Sequence, residues 1–193
     1  MNNFQIYFQL GFTHIANWGA LDHILFMAAL ALRYVFADWK KILVLVTAFT
    51  IGHTITLAFA LFNVMDFPKN WIEFLIPITI LITACSNLFV KKFIYKTKLP
   101  PIYFFALFFG CIHGLGFSND LKSIIGNGNG AIIKLLSANI GIEAAQLLFV
   151  TLVLTINFIC LNILKFGRRE YILFTSGGIF GIALQIAISR LPF

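Results

Sequence analysis

Charged residues are scarce in this chain. Only 11% of its 193 residues are Asp, Glu, Lys or Arg, and just 7 of them are acidic. Soluble domains carry about one quarter charged residues. Hydrophobic residues make up 60% of the chain, and its mean hydropathy is +0.94. This composition excludes a soluble protein and predicts an integral membrane protein that has no room for a separate soluble domain.

Cysteine is also scarce, and the N-terminus lacks basic residues. The three cysteines, Cys85, Cys111 and Cys160, form no CxxC pair and lie in apolar runs, so a disulfide framework is not expected. No basic residue precedes Arg33, whereas a secretory signal begins with a positively charged region. We therefore expect the N-terminal segment to be retained.

The apolar residues fall into six runs that can each cross a bilayer. They cover residues 18–36, 42–62, 71–90, 102–117, 137–164 and 171–191. All should be helices, because lipid offers no partner to the backbone groups of an open strand. We predict an all-α fold in which residues 1–193 form a single transmembrane domain, a polytopic six-transmembrane-helix bundle. Residues 1–13 are too short to cross, and lie on the outer surface or fold back over the bundle.

The basic residues predict which way the bundle faces. Ten of them flank the runs on one side: Arg33, Lys40, Lys41, Lys91, Lys92, Lys96, Lys98, Lys165, Arg168 and Arg169. Four flank them on the other side: Lys69, Lys122, Lys134 and Arg190. Since cytoplasmic loops carry the excess of Lys and Arg, we expect both termini outside. The net charge of +7 is then a topology signal, and the expected partners include the lipid bilayer but no nucleic acid.

All four histidines and three of the acids lie inside apolar runs or at their edges. These residues are His14, Asp22, His23, His53, Glu73, His113 and Glu143. Imidazole and carboxylate groups are costly in a bilayer, and membrane proteins usually keep them for ion binding, proton relay or chemistry. They therefore mark the place where function is expected.

Counting residues along the helices places five of these side chains in one layer in the outer half of the bundle. The five are Asp22, His23, His53, His113 and Glu143. Glu73 is shallower, and His14 lies just above the first span. Such groups on facing helices commonly bind transition metals, so the layer predicts a metal site. For each residue taken alone, the alternative is a hydrogen bond to a neighbouring helix.

Polar stripes on two helices accompany this layer. Spacings of three, four and seven residues put side chains on one helix face. Two such sets are Asn139, Glu143 and Gln146 on the fifth run, and Thr50, His53 and Thr54 on the second. We expect the following residues to orient the ligands rather than bind metal: Thr50, Thr54, Glu73, Asn139 and Gln146. Interhelical hydrogen bonding without metal is the alternative for each.

The two halves of the chain share one spacing. His23 and His53 are separated by 30 residues (53 minus 23), as are His113 and Glu143 (143 minus 113). Three spans in each half would make the halves inverted repeats, an arrangement that is common in transporters.

Five segments resemble the HupE/UreJ family of bacterial membrane proteins. They read GFTHI from Gly11, DHILF from Asp22, FTIGHTITL from Phe49, FGCIHGLGF from Phe109 and NIGIEAAQ from Asn139. Together they extend over spans one to five and include every histidine.

The resemblance implies a function in metal supply. Members of the family are associated with nickel supply to hydrogenase and urease, which implies a divalent-metal permease or accessory protein in the bacterial cytoplasmic (inner) membrane. Carried over position by position, the resemblance implies these metal ligands: His14, Asp22, His23, His53, His113 and Glu143. The expected metal is a divalent transition metal, nickel or zinc. A homo-oligomer is left open.

Three functions fit these observations. Transport or homeostasis of nickel or a similar metal comes first because of the resemblance, although the inner half of the spans holds no carboxylate or histidine. The alternative is an intramembrane metal-dependent enzyme, hydrolase-like, in which a metal-activated water reacts and Glu143 or Asp22 is the general base. A metal sensor or storage protein is the third. Catalytic residues and a substrate are not assigned.

Overall fold

The chain folds into α-helices, as the sequence predicts. The structure, a computed structural model, describes residues 3–17, 19–64, 67–89, 102–125 and 130–192, and none of these lies in a strand. The helices follow in the order α1 (Asn3–Ala16), α2 (Leu21–Ala31), α3 (Trp39–Leu61), α4 (Lys69–Phe89), α5 (Ile102–Ile125), α6 (Ala131–Phe158) and α7 (Arg168–Ser189). A 3₁₀ turn, Phe36–Asp38, precedes α3, and a π-helical turn, Ile159–Ile163, follows α6. The basic cluster at residues 91–98 lies outside the described residues.

Four helical segments are long and apolar enough to cross a membrane. They are Phe36–Leu61, Lys69–Phe89, Ala131–Ile163 and Arg168–Ser189. Two shorter apolar stretches, Leu21–Ala31 and Ile102–Ser118, belong to α2 and α5. Large apolar side chains cover the outside of the bundle; Phe89 is 78% exposed and Phe174 is 83% exposed. Such a surface suits lipid and not water, so the protein is a membrane protein.

The first predicted span is the one that differs most from the structure. We expected a helix over residues 18–36, but α2 has 11 residues and is about 16 Å long, too short to cross a bilayer alone. Side chains from other helices donate hydrogen bonds to carbonyl groups at its end. The contacts are Asn87 to Ala29 at 2.8 Å, Asn157 to Ala31 at 3.4 Å and Arg168 to Arg33 at 2.9 Å. These donors replace the next helical turn, so the helix can end inside the bundle.

Asn87 also holds a buried arginine next to the end of α2. The Arg33 guanidinium, 7% exposed, donates hydrogen bonds to Asn87 and to Ser86. We expect Asn87→Leu to lower the free energy of unfolding by about 3 kcal/mol, because one charge-assisted and one neutral hydrogen bond are lost. Chemical unfolding in detergent would measure this. Thr155→Val is the matched control, since Thr155 is exposed and bonds only its own helix; equal stability of the two variants would contradict the assigned role of Asn87.

Helices α3 and α5 pack closely and run in the same direction. A Cβ atom added at Gly110 would meet the backbone of Phe49, and one added at Gly114 would meet that of His53. Since Phe49 precedes His53 as Gly110 precedes Gly114, the two helices are parallel. Glycine at these positions lets two backbones approach, as small residues do in membrane helix pairs.

Helices α1 and α6 form a second parallel pair. A Cβ atom at Gly11 would meet the backbone of Ala138, and the Lys134 Nζ atom lies 5.4 Å from the centre of the Tyr7 ring. The N-terminal segment therefore packs along α6 and runs in the same direction as α2, instead of folding back over the bundle. It does so as a regular helix of 14 residues.

The two parallel pairs correspond to each other contact by contact. The contact of Gly110 with Phe49 matches that of Gly11 with Ala138. The contact of Gly52 with Leu107 matches that of Gly141 with Phe8. Positions on α5 and α1 differ by 99 residues (110 minus 11, 107 minus 8), and those on α6 and α3 differ by 89 (138 minus 49, 141 minus 52). The same shift of 99 relates His113 to His14. This correspondence is not the one that the 30-residue spacing suggested, which would have matched His113 with His23.

The related pairs point in opposite directions. The end of α3 and the beginning of α6 contribute Leu61 and Ala131 to one apolar cluster, whereas Asn157, near the end of α6, reaches the carbonyl of Tyr34, just before α3. Helices α3 and α6 are therefore antiparallel, and the internal repeat is inverted. Helices α4 and α7 pack against each other and are each the last long helix of their half.

Candidate metal centre

Three histidines from three helices converge inside the bundle. His14 on α1, His23 on α2 and His53 on α3 each offer a ring nitrogen, and these atoms all lie within 4.8 Å of one another. His23 is 6% exposed and His53 is fully buried. We call these residues the histidine cluster. Metal–nitrogen bonds of about 2 Å put two ligand nitrogens about 3 to 4 Å apart, so the three nitrogens lie close to the spacing that one shared ion requires.

Helix positions bring the three rings together. His14 lies in the last turn of α1 and stacks on Phe117 with ring centres 3.5 Å apart. His23 lies in the first turn of α2, three residues after Ala20, and its ring centre is 4.9 Å from that of His14. His53 is positioned by the close packing of α3 on Gly114 of α5. A break between α1 and α2 thus allows two consecutive helices to point histidines at one spot.

The ring nitrogens of the cluster are short of hydrogen-bond partners. Among the described residues nothing pairs with His14 Nε2, His23 Nε2 or either ring nitrogen of His53, and all of these atoms are buried. A buried polar group without a partner costs roughly 1 to 3 kcal/mol. A divalent metal would use the nitrogen lone pairs directly, so the donor set fits a transition metal such as nickel or zinc.

His113 lies next to the cluster and has a partner of its own. Its ring centre is 5.0 Å from that of His23, but its Nε2 atom lies 3.1 Å from the Thr79 hydroxyl. Its Nδ1 atom is buried and has no described partner. His113 is therefore close enough to support the cluster, either as a ligand through Nδ1 or by packing against His23.

The predicted carboxylates lie at different distances from the cluster. Asp22, beside His23, forms an ion pair of 2.8 Å with Arg190 at the end of α7. Glu73, at the start of α4, is 3.4 Å from Lys69, and the Lys69 and Glu73 side chains are 64% and 43% exposed. Asp22 thus adjoins the histidines, whereas Glu73 belongs to the rim of the bundle.

Glu143 and the polar stripe of α6 face α3. The Thr47 hydroxyl donates to Glu143 at 2.7 Å, and that of Thr50 lies 2.9 Å from Gln146 Oε1. Thr54 bonds the carbonyl of Thr50 in its own helix at 2.7 Å. The buried amide of Asn139 has no partner among the described residues. The structure thus places this stripe at the α3–α6 contact, and brings neither Glu143 nor the threonines into the three-nitrogen group.

A cavity connects the cluster to one end of the bundle. It has a volume of about 420 Å³ and is lined by both members of the Asp22–Arg190 ion pair, by Glu73 and by His14, His23 and His113. The loop between α1 and α2 forms part of its wall through Asn17, Gly19 and Ala20. The histidines are therefore reached from the end where Asp22 and Arg190 lie.

Sequence reasoning missed three residues of this region. Arg190 entered it only as a topology charge, and neither Thr79 nor Phe117 was singled out as a site residue. Arg190 had one usable signal, because it lies at the end of the last apolar run, on the same side of the bundle as the start of the first run, where Asp22 lies. No feature of the sequence identifies Thr79 or Phe117 before the packing of the helices is known.

Comparison with known proteins agrees with the motifs. A family model described as HupE / UreJ protein matches residues 1–190 of the chain. No curated protein matches the chain, and no solved structure matches it.

Proposed function

Because the chain belongs to the HupE/UreJ family, we propose that it transports a divalent transition metal, nickel first, or maintains its level in the cell. The observation that carries this proposal is the histidine cluster, three imidazoles from three helices within reach of one ion. Bundles commonly assemble metal sites from such side chains on facing helices. The cavity above the cluster gives a metal ion access from one end.

In this proposal His14, His23 and His53 are the primary ligands. His113 and Asp22 are neighbours that complete or tune the site, since each adjoins His23. Glu143, Thr50, Thr54, Asn139 and Gln146 remain predicted site residues; hydrogen bonds from α3 to Glu143 and Gln146 support a role in positioning α6. Glu73 is a rim residue that a cation passes on its way to the cavity.

The proposal includes the number of membrane crossings and the side of the membrane that each end of the bundle faces. We propose six crossings, with α1 and α2 together forming the first, in a single domain of the bacterial inner membrane. Residues expected outside, such as Lys69 and Arg190, lie at the cavity end, and residues expected in the cytoplasm, such as Arg33 and Arg168, lie together at the opposite end. This segregation supports termini outside and a cavity that faces the periplasm. We expect no nucleic acid partner, and a homo-oligomer is compatible with the lipid-facing surface.

A second candidate function is intramembrane hydrolysis. Three protein nitrogens leave a fourth tetrahedral position for water, which is the composition of many catalytic zinc sites. Asp22 lies beside His23 at the cavity and could act as general base. This alternative requires no route to the opposite end, and the described residues of the inner half offer no further histidine.

Metal flux into liposomes distinguishes the two functions. Purified protein in proteoliposomes that enclose a nickel-sensitive dye should give uptake at least about ten times that of liposomes containing His53→Leu protein. Metal analysis of the same preparation should show bound metal in the wild type. Bound metal without flux would contradict transport and favour the enzyme, and absence of both would contradict the proposed metal site.

A further inference from the structure

We propose that Arg190 competes with the metal ion for Asp22. The Arg190 guanidinium stays paired with the Asp22 carboxylate until a divalent cation displaces it. The idea rests on the proposed function of the histidine cluster, and it adds a residue that sets the affinity of that site. Arg190 is not one of the predicted ligands and carries the wrong charge for a cation site. Its position in the cavity wall therefore needs an explanation.

The first observation is the geometry of the ion pair. The Arg190 Nη1 atom lies 2.8 Å from Asp22 Oδ2, and the two side chains are 34% and 14% exposed. Both residues line the cavity that leads to the histidines. An ion pair that is partly buried in this way is stronger than one at a water-exposed surface, because solvent screens it less.

The second observation is the free oxygen of the same carboxylate. Asp22 Oδ1 is buried and has no hydrogen-bond partner among the described residues. Asp22 is adjacent in sequence to His23, a member of the cluster. The carboxylate thus has one oxygen bound to a guanidinium and one available to a cation that arrives through the cavity.

The charges in the cavity make the competition effective. A guanidinium stays protonated at all physiological pH values, so Arg190 places a permanent positive charge beside a site for a divalent cation. Glu73 does not offset this charge, because Lys69 is paired with it. A metal ion that binds Asp22 must separate it from Arg190, and the released guanidinium remains close to the carbonyl end of α7, where a cation is favoured. Affinity is therefore lower than the ligand set alone would give.

Charge substitutions at Arg190 test the proposal in the purified full-length protein. Nickel and zinc binding would be measured by calorimetry for wild type, R190Q and R190K. We expect R190Q to bind at least about 10-fold more tightly, since the competing charge is gone, and R190K to stay within about 3-fold of wild type. K69Q is the matched control: it removes a cation from the exposed Glu73 pair and should change affinity by less than about 3-fold, as exposed pairs contribute little.

A double-mutant cycle assigns the effect to Asp22. In a D22N background, R190Q should give less than about 3-fold change, because residues that act on one another are not additive. If R190Q does not accumulate in the membrane, R190M tests the same loss of charge. Unchanged or weaker binding in R190Q overturns the proposal, and weaker binding that depends on the buffer anion would show instead that Arg190 holds an anionic co-ligand. Wild-type protein that binds neither metal would contradict the proposed function itself. Metal affinity that is the same in wild type and R190Q would contradict only the competition by Arg190.

Discussion

His53→Leu is expected to abolish metal binding without destabilising the metal-free protein. His53 contributes one of three clustered ring nitrogens, so its loss should weaken nickel or zinc binding by about 100-fold or more, beyond the 10- to 100-fold typical for groups that merely orient ligands. The side chain is fully buried, and neither of its nitrogens has a partner among the described residues. Replacing it by an apolar group of similar size removes an unpaired polar group and costs no hydrogen bond.

Two measurements check this expectation. Calorimetry gives the affinity, and chemical unfolding in the presence of a chelator gives the stability of the metal-free form, which should equal or exceed that of wild type. His113→Leu is the comparison, because it breaks the contact with Thr79 and lies outside the three-nitrogen group; it should lower affinity by about 10-fold and lower stability as well. Wild-type affinity in the His53→Leu protein would refute the assignment of the cluster.

Gly52→Ala is expected to lower stability and metal affinity together. A Cβ atom at position 52 would meet the backbone oxygen of Leu107 and the backbone nitrogen of Cys111 on α5. Backbone cannot rotate away as a side chain can, so α3 and α5 must separate. We expect the free energy of unfolding to fall by about 3 kcal/mol, at the upper end for overpacked sites, together with weaker metal binding, since His53 follows directly in the chain.

Gly181→Ala is the matched control for this prediction. Nothing lies within 4 Å of a Cβ atom added at Gly181 on α7, so the same change there relieves only the low helix propensity of glycine and should stabilise by up to about 1 kcal/mol. Unfolding in detergent, followed by circular dichroism, would compare the two variants. If Gly52→Ala proved as stable as Gly181→Ala, the close α3–α5 packing described above would be wrong.

The sequence predicted the helices well in the apolar runs that are long enough to cross a membrane without another segment. The long runs that contain α3, α4, α6 and α7 need only length and hydropathy to become helices, because lipid leaves backbone groups no other partner. The layer of imidazoles was predictable for the same reason, since depth follows from the constant rise of a helix. His23 and His53 were placed together by this count, and the structure brings them together.

The sequence did not predict where α2 ends. Residues 18–36 are apolar enough for one continuous helix, and the break depends on hydrogen bonds from Asn87, Asn157 and Arg168. These residues lie 58 to 135 positions away in the chain from the carbonyl groups that they bind, so no local sequence pattern indicates them.

Composition and periodicity by themselves determined that this chain is a bundle of membrane helices with imidazoles at one level, because both depend on properties that each segment carries alone. Which imidazoles lie close to one another, and which cation lies beside Asp22, was decided only by the tertiary structure. The break after α1 turns His14 toward His23, the glycine contacts set the distance of His53, and the end of α7 brings Arg190 to Asp22. These are contacts between separate helices, and their geometry depends on side chains that pack across the bundle rather than along one helix.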